Sequence, residues 1–466
     1  MTTPAFNQAV FQDIVTSFDL PKPQFMTKLF SKHGDQGIGH MLVMQSMGFS
    51  TPVQGQVFYH FEDEYTWVPF KVKTTVASPG LGNDIVLTLD PSSVNSDGAF
   101  FPRQNDQVMF KGQGNVVGYI YDIDDSGADP LLTIRVLDSA DTFPTVEGGS
   151  ELFISGNMFS EGSGQPLARM SGASKFTGYT QIIKETIGYS GSEMTQEDWV
   201  DIYDDGKKFL GWWDKVRQIN LDYNFTRNMS GVLSYSKPVT NVNATDKSNG
   251  DRKMYATEGI TNYALRVGQH FPYTPGTRTV WTYDQKERVL DKQHVPGKML
   301  SYMGRDLDME DENMLLGFLQ NTQVNYTVKA LAQEYFEGDE ALAVSVGFTA
   351  FTKGSRTYMK RRWWEMSDSQ QGGVDGYAFP SFGLDLPLGM KKVANATGGS
   401  EKLPYVGMRW RQSGPYSRKV EMWDVGGAGP GQKVTQYDRV DKYMRAEIGG
   451  HYIAGNMWLV NYSNAA

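Results

Sequence analysis

The sequence predicts an α+β fold with more strand than helix. Short runs of alternating apolar and polar residues, separated by turn dipeptides, fill residues 57–162. Helical apolar spacing occurs near residues 6–18, 195–220 and 308–319. The 466 residues include 50 Gly and 20 Pro without a collagen-like period, which suits a chain with many turns. This length predicts about two to four compact units.

Residues 1–56 are predicted to form an N-terminal arm that starts with a helix. Four apolar residues at four-residue spacing, here called the arm stripe, share one helix face: Phe6, Val10, Ile14 and Phe18. Burying them would gain about 1.5–3 kcal/mol each, whereas ordering the segment costs about 1–2 kcal/mol per residue in backbone entropy. The arm stripe therefore needs a surface to dock on, either the core of its own chain or a neighbouring subunit.

Residues 57–170 are predicted to form a β-rich insert, either a small antiparallel domain or long hairpins. Its clearest strand patterns lie at 84–89, 116–121 and 132–137. Asp122-x-Asp124-x-Ser126-Gly127 resembles the start of a calcium loop, but Thr133 occupies the position that needs a bidentate Glu. We therefore interpret this segment as a hairpin turn.

A long helix is predicted over about 195–220, within a segment that spans 171–330. Thr195 and Asp198 resemble a capping box, and apolar residues at 199–216 form one broad face. A shorter helix is predicted to begin near Asp308, where acidic residues complement the helix dipole. Residues 331–440 mix strand-like runs with Gly-rich loops, and 441–466 contain two more strand-like runs.

Composition excludes several classes of chemistry. The chain has no Cys, which rules out disulfides, thiolate metal sites and cysteine nucleophiles. Its 44 Lys and Arg against 53 Asp and Glu give a net charge of −9, which argues against a general DNA-coating protein. The six His never show the His-x-x-x-His spacing of a zinc helix, and the Gly-rich loop at 426–433 lacks the Gly-Lys-Ser/Thr of a phosphate loop. We predict no cofactor and no metal, whereas a glycosidase pair of carboxylates stays open among the 53 Asp and Glu.

No targeting segment is expected either. Residues 1–20 lack a basic start followed by an apolar run, and no stretch of about 18 apolar residues occurs. The sequence therefore predicts no signal peptide and no membrane partner, and favours a cytosol-like compartment.

One basic and aromatic cluster follows Lys360, comprising Arg361, Arg362, Trp363 and Trp364. Such residues suit contacts with a single nucleic-acid strand, but Arg and Trp are also enriched as anchors of protein interfaces. Because the chain is acidic, we favour an assembly interface formed by these four residues together with the arm stripe.

Two short motifs carry a family resemblance, and a third segment, Ile154–Gly162, is similar to a strand of the same family that closes with Gly-Asn and a following Glu-Gly. Gly178-Tyr179-Thr180-Gln181-Ile182-Ile183 resembles the Asn-Tyr-Thr-Gln-Ile-Phe segment that precedes the spine helix in major head proteins of tailed bacteriophages. Gly178 stands where Asn is usual and Ile183 where Phe is usual. Thr257-Glu258-Gly259-Ile260 is similar to the Thr-x-Gly-Ile turn of the same family. The resemblance covers about residues 105–320, and its motifs are structural rather than catalytic.

The resemblance implies a Hong Kong 97-type capsid fold. In that fold residues 1–56 would form the arm, 57–170 an extended β loop, 171–330 a peripheral domain with the spine helix, 331–440 an axial domain, and 441–466 strands that return to the peripheral domain. The implied function is that of a major capsid protein, which forms hexamers and pentamers of an icosahedral virion shell around double-stranded DNA. Assembly would take place in the host cytoplasm with portal, scaffold and decoration proteins as partners.

Two other classes of function remain open from the residues alone. Ten Trp and 24 Tyr also suit a β-rich protein that binds or hydrolyses glycans. The third possibility is another virion structural protein, such as a tail or decoration subunit.

Overall fold

The computed structural model of the protein describes sixteen ranges, and all structural statements refer to them: residues 28–29, 50–63, 70–90, 102–110, 116–127, 129–166, 173–195, 201–204, 207–209, 221–241, 243–321, 349–353, 355–367, 381–394, 400–426 and 437–463. Strands outnumber helices in these ranges, and the predicted α+β class is confirmed.

The regular elements are labelled in chain order. The strands are β1 (Lys28–Leu29), β2 (Ser50–Val53), β3 (Val57–Asp63), β4 (Phe70–Lys71), β5 (Ile85–Thr88), β6 (Asp106–Phe110), β7 (Val116–Asp124), β8 (Leu131–Val136), β9 (Glu151–Asn157), β10 (Ala173–Tyr179), β11 (Gln181–Ser190), β12 (Asp201–Asp204), β13 (Lys207–Phe209), β14 (Thr245–Asp246), β15 (Arg252–Lys253), β16 (Gln269–Tyr273), β17 (Lys298–Met303), β18 (Thr349–Lys353), β19 (Arg356–Arg362), β20 (Gly383–Pro387), β21 (Met390–Ala394), β22 (Ser400–Pro404), β23 (Val406–Ser413), β24 (Tyr416–Ser417), β25 (Glu421–Gly426), β26 (Arg439–Tyr452) and β27 (Leu459–Ser463). The α-helices are α1 (Gly191–Thr195), α2 (Leu221–Tyr235), α3 (Ile260–Val267), α4 (Val280–Lys292) and α5 (Arg305–Asn321), and short 3₁₀ helices span Lys247–Asn249, Trp364–Ser367 and Gly455–Met457.

The unit formed by Tyr59–Thr177 contains a closed β-barrel. Its strands follow the order β4-β9-β6-β7-β8-β5 and pair antiparallel. Val72 forms an antiparallel bridge with Leu89, and Lys73 N–H donates to the carbonyl of Thr88 at 2.8 Å, so the last strand also pairs with the first. Among the described strands of the barrel itself, closure leaves no open sheet edge to attract another chain.

Alternation along the strands fills the barrel interior. In β8 every second residue is buried, and the buried residues pack against those of the other strands in one apolar cluster. Gly118 of β7 faces this cluster, where a Cβ would lie 2.7 Å from Ile134 Cγ2 and 2.8 Å from Phe143 Cζ. Only glycine fits this position without displacing the core, as close packing requires.

The three strands predicted in this segment are confirmed as parts of β5, β7 and β8. The hairpin interpretation of the Asp122–Gly127 sequence is also confirmed, since β7 pairs with β8 across it. Asp124 Oδ1 accepts hydrogen bonds from the hydroxyl and the amide of Ser126, at 2.6 and 3.1 Å. The hydroxyl bond, with a smaller contribution from the amide, lowers the pKa of Asp124 below its usual value.

The other unit, which comprises Met1–Phe58 and Gly178–Ala466, contains two large sheets. The first has the order β11-β26-β23-β2, with β24 paired to β23 and β25 to β26, and the second has the order β16-β27-β20-β17-β19-β18. One apolar cluster joins residues of both sheets to α2, which contributes Leu221, Phe225, Met229 and Leu233. Their four-residue spacing places them on one face of the helix.

The prediction of a continuous helix over 195–220 is wrong for the part that the structure describes. Strands β12 and β13 pair there, with Ile202 opposite Phe209 and Asp204 opposite Lys207. The two residues between these strands are Asp205 and Gly206, a dipeptide typical of two-residue hairpin loops. The long helix of this region is α2, which begins at Leu221.

The shorter predicted helix is confirmed as α5, which begins at Arg305, three residues before the predicted start. No helix among the described residues is long and apolar enough to cross a membrane. The arm stripe lies outside the described residues.

Candidate functional site

The segment that carries the first motif forms β11, which pairs over its whole length with β26, from Gln181 opposite Ile448 to Ser190 opposite Arg439. Just before it, a Cβ on Gly178 would overlap the ring of Phe58. This contact explains why Gly178 stands where the family that the segment resembles usually has Asn.

Side chains of the two motif segments meet at the start of this strand. The side-chain oxygen of Gln181 accepts from the amide of Thr257 and from the hydroxyl of Ser236, both at 3.3 Å. The hydroxyl of Thr257 accepts from the amide of Gly450 in β26 at 2.8 Å. Thr257 is fully buried. One threonine therefore ties the second motif both to the first motif and to the central strand of the sheet.

Gly259 of the second motif brings α3 against the end of α2. A Cβ at this position would lie 2.7 Å from main-chain atoms of Ser234, Tyr235 and Ser236. The amide of Gly259 donates to the carbonyl of Ser236 at 2.7 Å. The backbone angle φ is −82°, which any residue adopts, so space rather than conformation requires the glycine.

The last carbonyls of α2 accept hydrogen bonds from side chains of α3 and β26. Thr261 Oγ1 donates to the carbonyl of Ser234 at 2.6 Å, and Asn262 Nδ2 donates to the carbonyl of Tyr235 at 2.6 Å. The hydroxyl of Tyr452 donates to the carbonyl of Leu233 at 3.0 Å. A helix end has four carbonyls without intrahelical partners, and here side chains from elsewhere in the fold satisfy three of them.

A buried carboxylate, that of Glu447, completes this arrangement. We name the following residues the junction: Thr180, Gln181, Thr257, Gly259, Thr261, Asn262, Glu447 and Tyr452. Glu447 is fully buried and accepts from Thr180 Oγ1 at 3.2 Å. Arg411 and Arg418 form ion pairs with it at 3.2 and 2.7 Å. A buried carboxylate requires such partners. Each of these residues serves to fix β11, α2, α3 and β26 in one arrangement.

A second polar cluster lies between α4, α5 and the second sheet. Lys286 and Asp385, both almost completely buried, form an ion pair at 3.0 Å. Asp385 also accepts from Ser301 and, at 2.9 Å, from Asn461. Burial by itself would raise the pKa of Asp385, but the Lys286 cation and these hydrogen bonds hold it below the usual value. Burial lowers the pKa of Lys286.

The same cluster continues to α5 through Asp311. Arg278 forms an ion pair with this carboxylate at 2.6 Å, and the hydroxyl of Tyr283 donates to it at 2.5 Å. Burial raises the pKa of Tyr283 well above its usual value, and the Asp311 charge adds to this effect. Tyr283 therefore stays protonated and acts as a donor. Among the described residues no group of three or more His, Asp or Glu could hold a metal ion.

The predicted interface cluster is largely interior. Trp363 is 1% exposed and packs on the rings of Tyr302 and Tyr235, with centroids 5.2 and 6.4 Å away. Arg361 is also buried, and its pKa is lowered by burial. Side chains enclosed by their own chain offer no surface to a neighbour, so the interface prediction is wrong for these two. Arg362 is half-buried, and the side chain of Trp364 lies outside the described part of the structure. For Arg362, Trp364 and the arm stripe, a role in an assembly interface stays a prediction.

No protein-family model matches the chain, and neither does any curated protein sequence. Solved structures do match. A chain from the capsid of a native GTA particle covers 99% of this chain and 100% of its own length at 8% identity, with a TM-score of 0.38. A chain of Gordonia phage Cozz covers 96% and 92% at 10% identity, with a TM-score of 0.40. A chain from the capsid of cyanophage P-SCSP1u covers 67% and 81% at 9% identity, with a TM-score of 0.32. Each of these three chains comes from a phage or from a capsid.

Proposed function

We propose that the protein is a non-enzymatic shell subunit, a major capsid protein of the Hong Kong 97 type. Copies of it would form the hexamers and pentamers of an icosahedral shell that encloses packaged double-stranded DNA. Portal, scaffold and decoration proteins would be its partners in the virion.

One observation carries this proposal, namely that the two motif segments of the resemblance meet at the junction. Gln181 and Thr257 are 76 residues apart in sequence, yet they are joined by a hydrogen bond. Gly259 is required by the close approach of α3 to α2. The residues by which the chain resembles phage head proteins thus have a structural purpose in this chain, and none of them has a catalytic arrangement.

The proposed mechanism is mechanical. A shell subunit makes several heterologous contacts, and their sum holds each copy in a closed lattice. The chain has no Cys, so disulfides cannot contribute to this strength. A net negative charge gives the subunit no overall attraction to DNA, because tight binding needs a basic surface that displaces counterions from phosphates.

Assembly is the direct test. The purified chain, alone and with scaffold protein, is examined by sedimentation and by electron microscopy. We expect capsomer-sized species and closed shells in which this chain is the most abundant protein by mass spectrometry. Protein that stays monomeric under all these conditions would contradict the proposal. Glycan binding or release of reducing sugar by the monomer would favour the glycan-directed alternative, and a low copy number in particles would favour a tail or decoration subunit.

A further inference from the structure

The two faces of the second sheet are packed in different ways. Successive side chains of a strand point to opposite faces, so Leu300 and Leu384 belong to the large apolar cluster that contains α2, whereas Ser301 and Asp385 lie on the face covered by α4 and α5. The large cluster has 25 buried residues, whereas the two apolar clusters that include residues of α4 and α5 have six and three. Apolar burial is therefore much smaller on the face toward α4 and α5.

Charged side chains of β19 connect this face to α4. Arg356 forms ion pairs with Glu287 and, at 2.7 Å, with Asp291. The hydroxyl of Tyr358, two residues further along the same strand, donates to Glu287 at 2.6 Å. The side chain of Arg356 is 4% exposed. A cation so far removed from water depends on its carboxylate partners.

Two more ion pairs join the helices to the sheet. Lys360 of β19 pairs with Asp308 of α5 at 3.2 Å, and Lys286 of α4 pairs with Asp385 of β20 at 3.0 Å. Both lysine side chains are buried. We name the residues of these ion pairs the charged seam: Lys286, Glu287, Asp291, Asp308, Arg356, Lys360 and Asp385.

The two helices are joined to each other by similar contacts. Arg278, which precedes α4, forms an ion pair with Asp311 of α5, and Tyr283 of α4 donates to the same carboxylate. Glu310 of α5 accepts from the amide of Gly276 at 3.1 Å. The layer made of α4 and α5 is thus held together, and held to the sheet, by carboxylates in their ionised form.

The opposite face of the sheet depends much less on charge. Among the described residues, the buried carboxylate beside α2 is that of Glu365, which accepts from Ser230 of α2 at 2.5 Å. Glu365 also interacts electrostatically with Arg361. A protonated carboxyl can still accept the hydrogen bond from Ser230. This face therefore relies mainly on apolar burial, which binds no proton.

From this difference between the two faces we infer that α4 and α5 form an acid-sensitive layer, which separates from the second sheet at a higher pH than the one at which the large apolar cluster unfolds. Protonation removes the charge of a carboxylate but leaves Lys and Arg positive, so the buried cations of the charged seam lose their partners. A carboxylate that is stabilised in the fold contributes its full stability above its unfolded pKa of about 4 and loses it as the pH falls through the folded value. The inference concerns the single chain and does not depend on the proposed function.

Hydrogen–deuterium exchange of the unassembled chain, read by mass spectrometry between about pH 7 and about pH 3, measures the two faces separately. Labelling times are scaled for the intrinsic exchange rate at each pH. Peptides of α4 and α5 report on the layer, and peptides of α2 report on the large apolar cluster. We expect the protection of α4 and α5 to fall by about tenfold, the effect of one pKa unit on one linked carboxylate, before that of α2 falls by about threefold. Loss of protection in all three helices at the same pH, loss in α2 first, or full protection of all three at the lowest pH overturns the inference.

Variants show whether the charged seam is the cause. Lys360→Met combined with Asp308→Leu replaces one ion pair by apolar side chains, and it should lower the pH at which α4 and α5 lose protection without changing that of α2. Lys286→Met combined with Asp385→Leu is the second variant, in case the first does not fold.

The matched control removes an ion pair from the first sheet. Arg445 and Glu421 lie 2.6 Å apart there, and Arg445→Met combined with Glu421→Leu should leave the acid response of α4 and α5 unchanged. An equal shift in the control, or no shift in a folded variant of the charged seam, would show that the acid response is a general property of the chain and would contradict the inference.

Discussion

Replacing Gly259 by alanine tests the junction directly. The new Cβ would lie 2.7 Å from main-chain atoms of Ser234, Tyr235 and Ser236, where ordinary contacts begin at 3.4 Å. Helix α3 would have to retreat from α2 by about 0.7 Å, the difference between these distances. The obstructing atoms are backbone atoms at the end of a helix, so no side chain can rotate away to make room.

The expected cost follows from two effects. Overpacking of a close contact costs about 1–3 kcal/mol. Retreat of α3 also lengthens the bonds that Thr261 and Asn262 donate to the carbonyls of α2, each worth about 0.5–1.5 kcal/mol. We therefore expect Gly259→Ala to lower the free energy of unfolding by about 2–4 kcal/mol.

Gly231, in the middle of α2, provides the matched control. A Cβ there meets no atom within 4 Å, and alanine is favoured over glycine inside a helix by about 0.5–1 kcal/mol. The same chemical change on the same helix pair should therefore stabilise the chain at one position and destabilise it at the other.

Urea unfolding of the unassembled chain, followed by tryptophan fluorescence, measures both variants. Nine of the ten Trp lie outside the barrel unit, so the signal reports mainly on the unit that contains the junction. If Gly259→Ala unfolds at the same urea concentration as the parent chain, or if Gly231→Ala is equally destabilised, the steric account of the second motif is refuted.

Three further predictions concern the buried charges and the arm. Lys286→Met leaves Asp385 buried without its cation and should lower the unfolding free energy by about 3–5 kcal/mol, while Lys286→Met combined with Asp385→Leu should recover part of that loss in the same urea assay. Because the pKa of Asp385 is lowered in the fold, its stabilisation is complete above an unfolded pKa of about 4 and disappears as the pH falls through the folded value. Asp385→Asn should therefore flatten the loss of stability below pH 4 in an acid titration, and an unchanged acid limb would contradict this. Replacing the arm stripe by Ser should leave a folded, soluble subunit that sediments mainly as unassembled protein; normal shells from this variant would show that the arm stripe is not needed for assembly.

Local patterns predicted the barrel strands because burial on one face imposes alternation residue by residue. The closure of the barrel through Val72 and Leu89 had no such signal, since it depends on which strands become neighbours. Helical spacing over 195–220 was misleading because a short apolar run fits a hairpin as well as a helix, and the Asp205-Gly206 dipeptide was the better guide. The sequence signal of α2 is the four-residue spacing of Leu221, Phe225, Met229 and Leu233, which begins directly after the predicted helix ended and was missed.

In the candidate site, too, local sequence patterns indicated short segments but not the contacts between residues far apart in sequence. The resemblance identified the two motif segments, but the bond between Thr180 and Glu447 joins residues 267 apart, and no local pattern relates them. Lys286 and Asp385 are likewise 99 residues apart, and each by itself looks like an ordinary surface charge in the sequence. Trp363 was misjudged because neighbouring basic residues suggested exposure, whereas its position after β19 places it in the core.

The inserted barrel also imposes an order on synthesis. All of its paired strands lie between residues 70 and 157, so it can fold as soon as this stretch has left the ribosome. β2 was made earlier, yet Ser50 pairs with Met408 in β23 and has no partner strand until then. At about 5–20 residues per second that wait lasts roughly 20–70 s. A nascent chain thus carries a complete barrel while its larger unit still lacks the C-terminal strands that pair with β2 and β11.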